Sequence, residues 1–236
     1  MNVVIFAAGR GARLGFDVPK CLVEIGGMCL LEKQVYAIRA ALGHTVEIYV
    51  VTGFQHELVF DAIAKLDDDY VYQLVNTQHE THSIIQSGIV AANEVDSAKI
   101  LRLDGDLIIS ADDVFRMSAC DGNVIAYRGR AEGEENAFLR LNPEDNLRAQ
   151  AVIVDNSSSK HVNKPIWACV ELYTNHSFQR VAYGMSRYLS LTTPWAAAIN
   201  TYIGEFEPEG ITTIKTSIQE IDTIDDLERI RRYYSS

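Results

Sequence analysis

The chain is short of basic residues, of cysteine and of long apolar runs, and each shortage removes a class of protein. Lysine and arginine number 21 against 32 aspartates and glutamates, a net charge of −11. A polymeric nucleic acid needs a broadly basic face, so no nucleic-acid partner is expected. A few local cations would still suffice for one small phosphorylated ligand. No stretch approaches the ~18 unbroken apolar residues of a membrane span, and no membrane partner is expected. The sequence opens on an apolar run with no basic segment ahead of it, so no secretory signal is expected. The four cysteines, Cys21, Cys29, Cys120 and Cys169, are scattered without metal-ligand spacing. They read as reduced thiols in a cytoplasmic protein.

What is present is an ordinary globular composition, 47% apolar and 22% charged over 236 residues, enough for a full core in one domain. Val3–Ala7 reads as a buried strand, and it empties into a stretch rich in glycine (9, 11, 15, 26, 27) with Pro19 and three cations, Arg10, Arg13 and Lys20. Glycine lets backbone amides turn inward around an anion, and the cations suit phosphate oxygens. A dinucleotide fingerprint would need a third glycine where Leu14 stands. A Walker loop would need Gly-Lys-Ser/Thr, which is missing.

Beyond the loop the pattern alternates. Helices are expected from Leu30 to Leu42, over Glu57–Leu66 and over Thr81–Ala92, between strands Val46–Thr52, Tyr70–Val75 and Lys99–Leu103. This predicts an α/β fold, a mostly parallel Rossmann-like sheet with helices on both faces. Ligands in such sheets sit beyond the carboxyl ends of the strands, so the glycine loop and Asp104-Gly105-Asp106 are expected to meet there. The second half is less regular. It offers short strands at Val124–Tyr127, Ala137–Leu141, Ala149–Val154 and Trp167–Tyr173, then helices at Ser177–Leu189 and Trp195–Ile203. A last helix follows the cap-like Thr223 and Asp226.

The run Ala7-Ala8-Gly9-Arg10-Gly11-Ala12-Arg13-Leu14-Gly15, followed by Pro19-Lys20, resembles the signature loop of the nucleotidyltransferases that make nucleotide-diphosphate sugars and CDP-alcohols. Ala12 stands where that family usually has Ser or Thr. Gly105-Asp106 and the segment Glu220-Ile221-Asp222-Thr223 extend the resemblance, the latter toward small-alcohol cytidylyltransferases of the CTP:phosphocholine type. The aromatic that often stands two residues before that glutamate is Ile218 here.

The resemblance implies a Mg²⁺-dependent transfer of a nucleotidyl group to a small phosphorylated acceptor, with CTP favoured and pyrophosphate released. Residues 1–118 would form the nucleotide-binding half and 119–236 the acceptor-binding half of one domain. Ala7 to Ala12 and Arg13 would bind the nucleotide, Lys20 would stabilise charge on the α-phosphate, and Asp106 and Asp222 would hold the metal. Asp104, on the same strand face as Asp106, is a weaker metal candidate. Thr81-His82-Ser83, with Ser87 one turn on, resembles the family's base-recognition segment, His82 replacing the usual Asn. His79 and His82, three apart, offer a transition-metal alternative. Lys164, with Lys160 as competitor, resembles the lysine that meets the acceptor phosphate. Trp167, Tyr173, Trp195 and Tyr202 with Glu171 and Glu205 could form an aromatic, acidic pocket for an ammonium group, or could be core. A sugar-1-phosphate nucleotidyltransferase and an inactive nucleotide-binding regulatory domain stand as alternatives, and a homodimer is left open.

Overall fold

A computed structural model describes residues 1–129, 136–155, 164–186 and 193–234. The apolar opening run is β1 (Asn2–Ala7), buried throughout. The glycine stretch after it holds no regular helix. Gly11 and Gly15, at φ +65° and +69°, bracket one 3-10 turn over Ala12–Leu14, and Pro19 leads into another over Lys20–Leu22. Glycine adopts that left-handed backbone without a Cβ clash.

Helix α1 (Leu30–Leu42) buries Leu31, Val35 and Ile38 along one stripe and stops at Gly43. Then β2 (Ile48–Thr52), α2 (His56–Lys65), β3 (Val71–Val75), α3 (Ile84–Glu94) and β4 (Lys99–Asp104) alternate. Helix α3 begins three residues later than its apolar spacing predicts. Ser83 is extended, and its hydroxyl accepts the Ile85 amide at 3.3 Å, which caps the helix there.

A short helix that periodicity does not reveal, α4 (Ala111–Ser118), follows; only Val114 and Met117 give it an inward apolar edge. The second half supplies β5 (Val124–Arg128), β6 (Asn136–Leu141), β7 (Arg148–Asp155) and β8 (Ile166–Thr174). It continues with α5 (Asn175–Gly184), α6 (Trp195–Phe206), an unanticipated β9 (Ile211–Lys215) and α7 (Ile224–Tyr234). Helix α5 starts two residues before Ser177, where Thr174 caps it; positions 187–189 of its expected span lie outside the described residues.

One nine-stranded sheet carries all of this, in the order β3-β2-β1-β4-β8-β5-β9-β7-β6. Strands β3, β2, β1 and β4 are mutually parallel, and β5 and β9 run with each other. Only β8 and β7 run against the rest, each antiparallel to both of its sheet neighbours in that order. The fold is therefore the mostly parallel α/β sheet that the pattern predicts. Its helices pack in two groups, α1 with α4 and α3 with α5 and α6. From β1 the chain builds outward through β2 and β3, then returns to lay β4 on the other side of β1. That reversal opens a crevice at the carboxyl ends of β1 and β4.

A second small core decides where the C-terminus goes. Leu14, Val23, Ile25 and Leu30 from the loop region pack with Ile221, Leu227 and Ile230. This brings the closing segment across the glycine loop.

Candidate active site

The glycine loop and the end of β4 meet in the crevice. Phe6 and Asp104 are register partners, and the Gly105 amide donates to the Phe6 carbonyl at 2.8 Å. Gln34 from α1 ties down the turn, its Nε2 donating to the carbonyls of Asp104 and Leu107. The closing segment is bonded to the same turn. Gln219–Glu220 pairs with Leu107–Ile108, and the Ile221 amide donates to the Asp106 carbonyl at 3.1 Å. Asp226 completes the anchor as a cap: its carboxylate accepts from the Asp222 and Thr223 amides, and its own amide donates to Thr223 Oγ1. Burial alone would raise the Asp226 carboxyl; hydrogen bonds from Thr223 and Arg229 outweigh it and hold the group below its usual range.

Lys20 lies where these elements converge. Its ammonium donates to Asp106 Oδ2 and to Asp222 Oδ1, each at 2.6 Å. Burial by itself would lower this lysine; the two carboxylates more than reverse that and hold it above its ordinary value. Glycine at 11 permits the approach, since a Cβ there would stand 2.9 Å from the Cβ of Lys20.

Asp106, Glu220 and Asp222 each place a carboxylate oxygen within 4.8 Å of the others. Burial, then the neighbouring Asp106 and Asp222, push the Glu220 carboxyl well above its usual value. Asp106 Oδ1 is buried with no hydrogen-bond partner. Three hard oxygen donors, one of them unpaired, fit a divalent cation of the magnesium kind. Neither His79 nor His82 belongs to this group, the one such cluster among the described residues. Glu220 was legible only indirectly, as the residue two before Asp222 on an extended segment and so on its side.

A cleft of about 220 Å³ opens beside Lys20. Ala7, Ala8 and Gly9 line one wall, Asp104 to Asp106 another, and His79, His82, Ser83 and Ser87 a third. Asn76, which sequence reasoning missed, also lines it and donates to Ser87 Oγ at 3.1 Å. Thr81 stands outside the lining and pairs with the His82 ring. Arg10 is exposed, 5.1 Å from the Phe54 ring centre and 3.6 Å from Asp17. Gly11 and Ala12 belong to the turn rather than to the cleft wall. Lys164 is exposed against Phe138, outside the lining. Lys160 and the side chain of Arg13 lie outside the described residues.

Glu171 and Trp195 are in the interior, not on an acceptor surface. Arg102, fully buried, pairs with Asp104 through Nη2 and reaches Glu171 Oε2 at 3.2 Å through Nη1. Trp167 Nε1 donates to Glu171 Oε1 at 2.7 Å. Glu171 and Trp167 of the expected aromatic, acidic pocket thus belong to a buried network around Arg102, because a buried guanidinium requires counter-charge, while Glu205 is exposed at the surface. Trp195 packs edge-on against Phe6 and fills the space beside Gly88.

A family model, the MobA-like NTP transferase domain, matches residues 3–164, well over half of the chain. The chain belongs to the MobA-like NTP transferase family. A 2-C-methyl-D-erythritol 4-phosphate cytidylyltransferase from Aeromonas hydrophila is 26% identical over 154 residues, 61% of each chain. The chain spans less than two thirds of the curated relatives' own length, and only 16% to 34% of bifunctional relatives such as IspD/IspF and GlmU. Two solved structures share the fold of this MobA-like chain. The CTP:phosphocholine cytidylyltransferase LicC from Streptococcus pneumoniae has TM-score 0.74, 19% identity and 98% coverage of both chains. The inositol-1-phosphate CTP transferase from T. maritima has TM-score 0.72 and 15% identity, covering 99% of this chain and 94% of that one. Among the described residues, no helix is long and apolar enough to cross a membrane.

Proposed function

We propose that the protein is a magnesium-dependent cytidylyltransferase that joins CMP from CTP to a small phosphorylated alcohol or amine, or to a phosphonate, with release of pyrophosphate. The observation that carries the reading is Lys20, held at 2.6 Å from both Asp106 and Asp222 at the edge of a cleft walled by the glycine loop. CTP is favoured because the Aeromonas hydrophila relative and the two solved structures described above are named as cytidylyltransferases or a CTP transferase.

In this reading an oxygen of the acceptor's phosphate or phosphonate attacks the α-phosphorus of the nucleotide, and the bond to the β-phosphate oxygen breaks. The acceptor is ionised near neutral pH, so the chain needs no general base. Amides of Ala7 to Ala12 and the cation of Arg13 receive the β- and γ-phosphates. The Lys20 ammonium meets charge growing on the α-phosphate, a stabilisation realised most fully in the transition state. His82, Ser83 and Ser87 face the base. Asp106, Glu220 and Asp222 would hold the magnesium ion, which when bound supplies charge neutralisation and a template for nucleotide and acceptor.

Pyrophosphate release tests this directly, crossing CTP, UTP, GTP and dTTP with phosphocholine, aminoethylphosphonate, glycerol phosphate, inositol phosphate and hexose 1-phosphates. Turnover with CTP and a small alcohol or amine acceptor, abolished by a chelator, is the expected result. Turnover only with a hexose 1-phosphate and another nucleotide would move the protein to the sugar branch. Nucleotide binding without pyrophosphate release from any pair would overturn the enzymatic reading.

A further inference from the structure

This inference deepens the reading of the cleft as a CTP site and rests on it. Lys20, Asp104 and Asp106 charge one part of the cleft, whereas the wall of Asn76, His79, His82, Ser83 and Ser87 holds no lysine, arginine or carboxylate. A triphosphate suits the first and an uncharged base the second. Asn76 and Ser87 are buried in that wall, 1% and 2% exposed. The orientation of the Asn76 carboxamide is fixed. Its Oδ1 accepts the Gln78 amide at 3.0 Å, and a backbone N–H can only donate, so the group cannot be turned round. Nδ2 therefore faces Ser87 and donates to its Oγ at 3.1 Å.

That bond decides what Ser87 offers a ligand. The hydroxyl has one proton, and Asn76 Nδ2 cannot accept it. Among the described residues Asn76 is the only side-chain partner of Ser87 Oγ. A buried donor left without an acceptor is costly, and the cleft is where an acceptor can arrive. We propose that Asn76 is a positioning residue for base choice: by donating to Ser87 it turns the serine proton into the cleft, where the O2 carbonyl of cytosine receives it. The polarity runs from the Gln78 amide through Asn76 and Ser87 to the base, and its first link is backbone. An exocyclic amine in place of that carbonyl would set proton against proton. Ser83 has the same polarity, since its Oγ accepts the Ile85 amide at 3.3 Å and its proton is left for the cleft.

The test compares the dissociation constants of CTP and isocytidine triphosphate by titration calorimetry. In the second base the amine and the carbonyl of cytosine exchange places. The unmodified protein is expected to prefer CTP by about tenfold or more. Asn76→Asp keeps the shape and still accepts the Gln78 amide, but its second oxygen takes the Ser87 proton. Two donors keep that carboxyl ionised at about pH 8.5, where the titration is run. Ser87 then shows the cleft only lone pairs, and the preference for CTP should fall at least about tenfold. Added charge or loosened packing would weaken both nucleotides together and leave the preference where it was. Ser87→Ala should also erode the preference, and Asn76→Asp added to it should change nothing further. Equal binding of the two nucleotides by the unmodified protein overturns the proposal, and so does an undiminished preference in Asn76→Asp. If Asn76→Asp does not fold, Ser87→Ala decides, an unchanged preference again overturning it. Failure of the unmodified protein to bind CTP at all would instead remove the CTP reading and this inference with it. No turnover is measured, so silence in the pyrophosphate assay leaves the result intact.

Discussion

Gly105 presses against Ala7 so closely that a Cβ on the glycine would stand 3.0 Å from the alanine Cβ and 3.1 Å from the Phe6 carbonyl oxygen. This contact sets the spacing between the glycine loop and the carboxylate of Asp106. Gly105→Val should force the two strand ends apart, lowering stability by about 1–3 kcal/mol and raising the nucleotide KM. Thermal melting and steady-state kinetics check both effects. A variant with unchanged KM would mean that this spacing does not govern the site.

Lys20→Ala should reduce kcat by about a hundredfold or more while changing the nucleotide KM far less. Equal losses in binding and turnover would refute a transition-state role for the ammonium.

Arg102 lies buried beneath the cleft with Asp104 and Glu171 as its counter-charges. Arg102→Met should cost about 3–5 kcal/mol in urea unfolding, because two enclosed carboxylates lose their cation. Adding Glu171→Gln should return part of that loss. If the double variant is no better than the single one, the network is not held by charge.

Gly88 on α3 faces the Trp195 ring, and a Cβ there would lie 2.4 Å from it. Gly88→Val should destabilise the fold by about 1–3 kcal/mol through overpacking, and shift the helix that carries Ser83 and Ser87. Melting temperature and nucleotide affinity read the two consequences separately.

Asp68 is gripped in bidentate fashion by Arg39, at 2.6 and 2.9 Å. Burial works to raise its carboxyl, but the Arg39 hydrogen bonds prevail and hold it below its usual value. A carboxyl lowered in the folded state stabilises above its unfolded pKa and loses that contribution as pH falls through the folded one. Asp68→Asn should therefore cost about 1 kcal/mol near pH 7, discounted for solvent screening, and progressively less in acid. A deficit that stays constant down to about pH 2 would contradict the ion pair.

Much of the molecule was legible because its causes are local. The buried run of β1, the stripe of Leu31, Val35 and Ile38, and the turn glycines at 11 and 15 each follow from backbone conformation or periodicity within a few residues. The carboxyl-end rule for parallel sheets extended that reading to the meeting of the glycine loop with Asp104-Gly105-Asp106. Where the cause was weak locally, the pattern failed. Ala111–Ser118 has too narrow an apolar edge to announce a helix, and Ile211–Lys215 is a strand only because β5 and β7 flank it.

Side-chain partners across the fold were decided by tertiary structure alone. Lys20 is 86 residues from Asp106 and 202 from Asp222, and the small core of Leu14, Val23 and Ile221 is what closes that distance. The same holds for Glu171 and Trp195. As residue types they suit an ammonium pocket, yet a buried Arg102 on the neighbouring strand claims the carboxylate for the interior. Sequence determines which chemistry a residue can offer; burial and the charge of its neighbours determine whether it is offered to a substrate or to the fold.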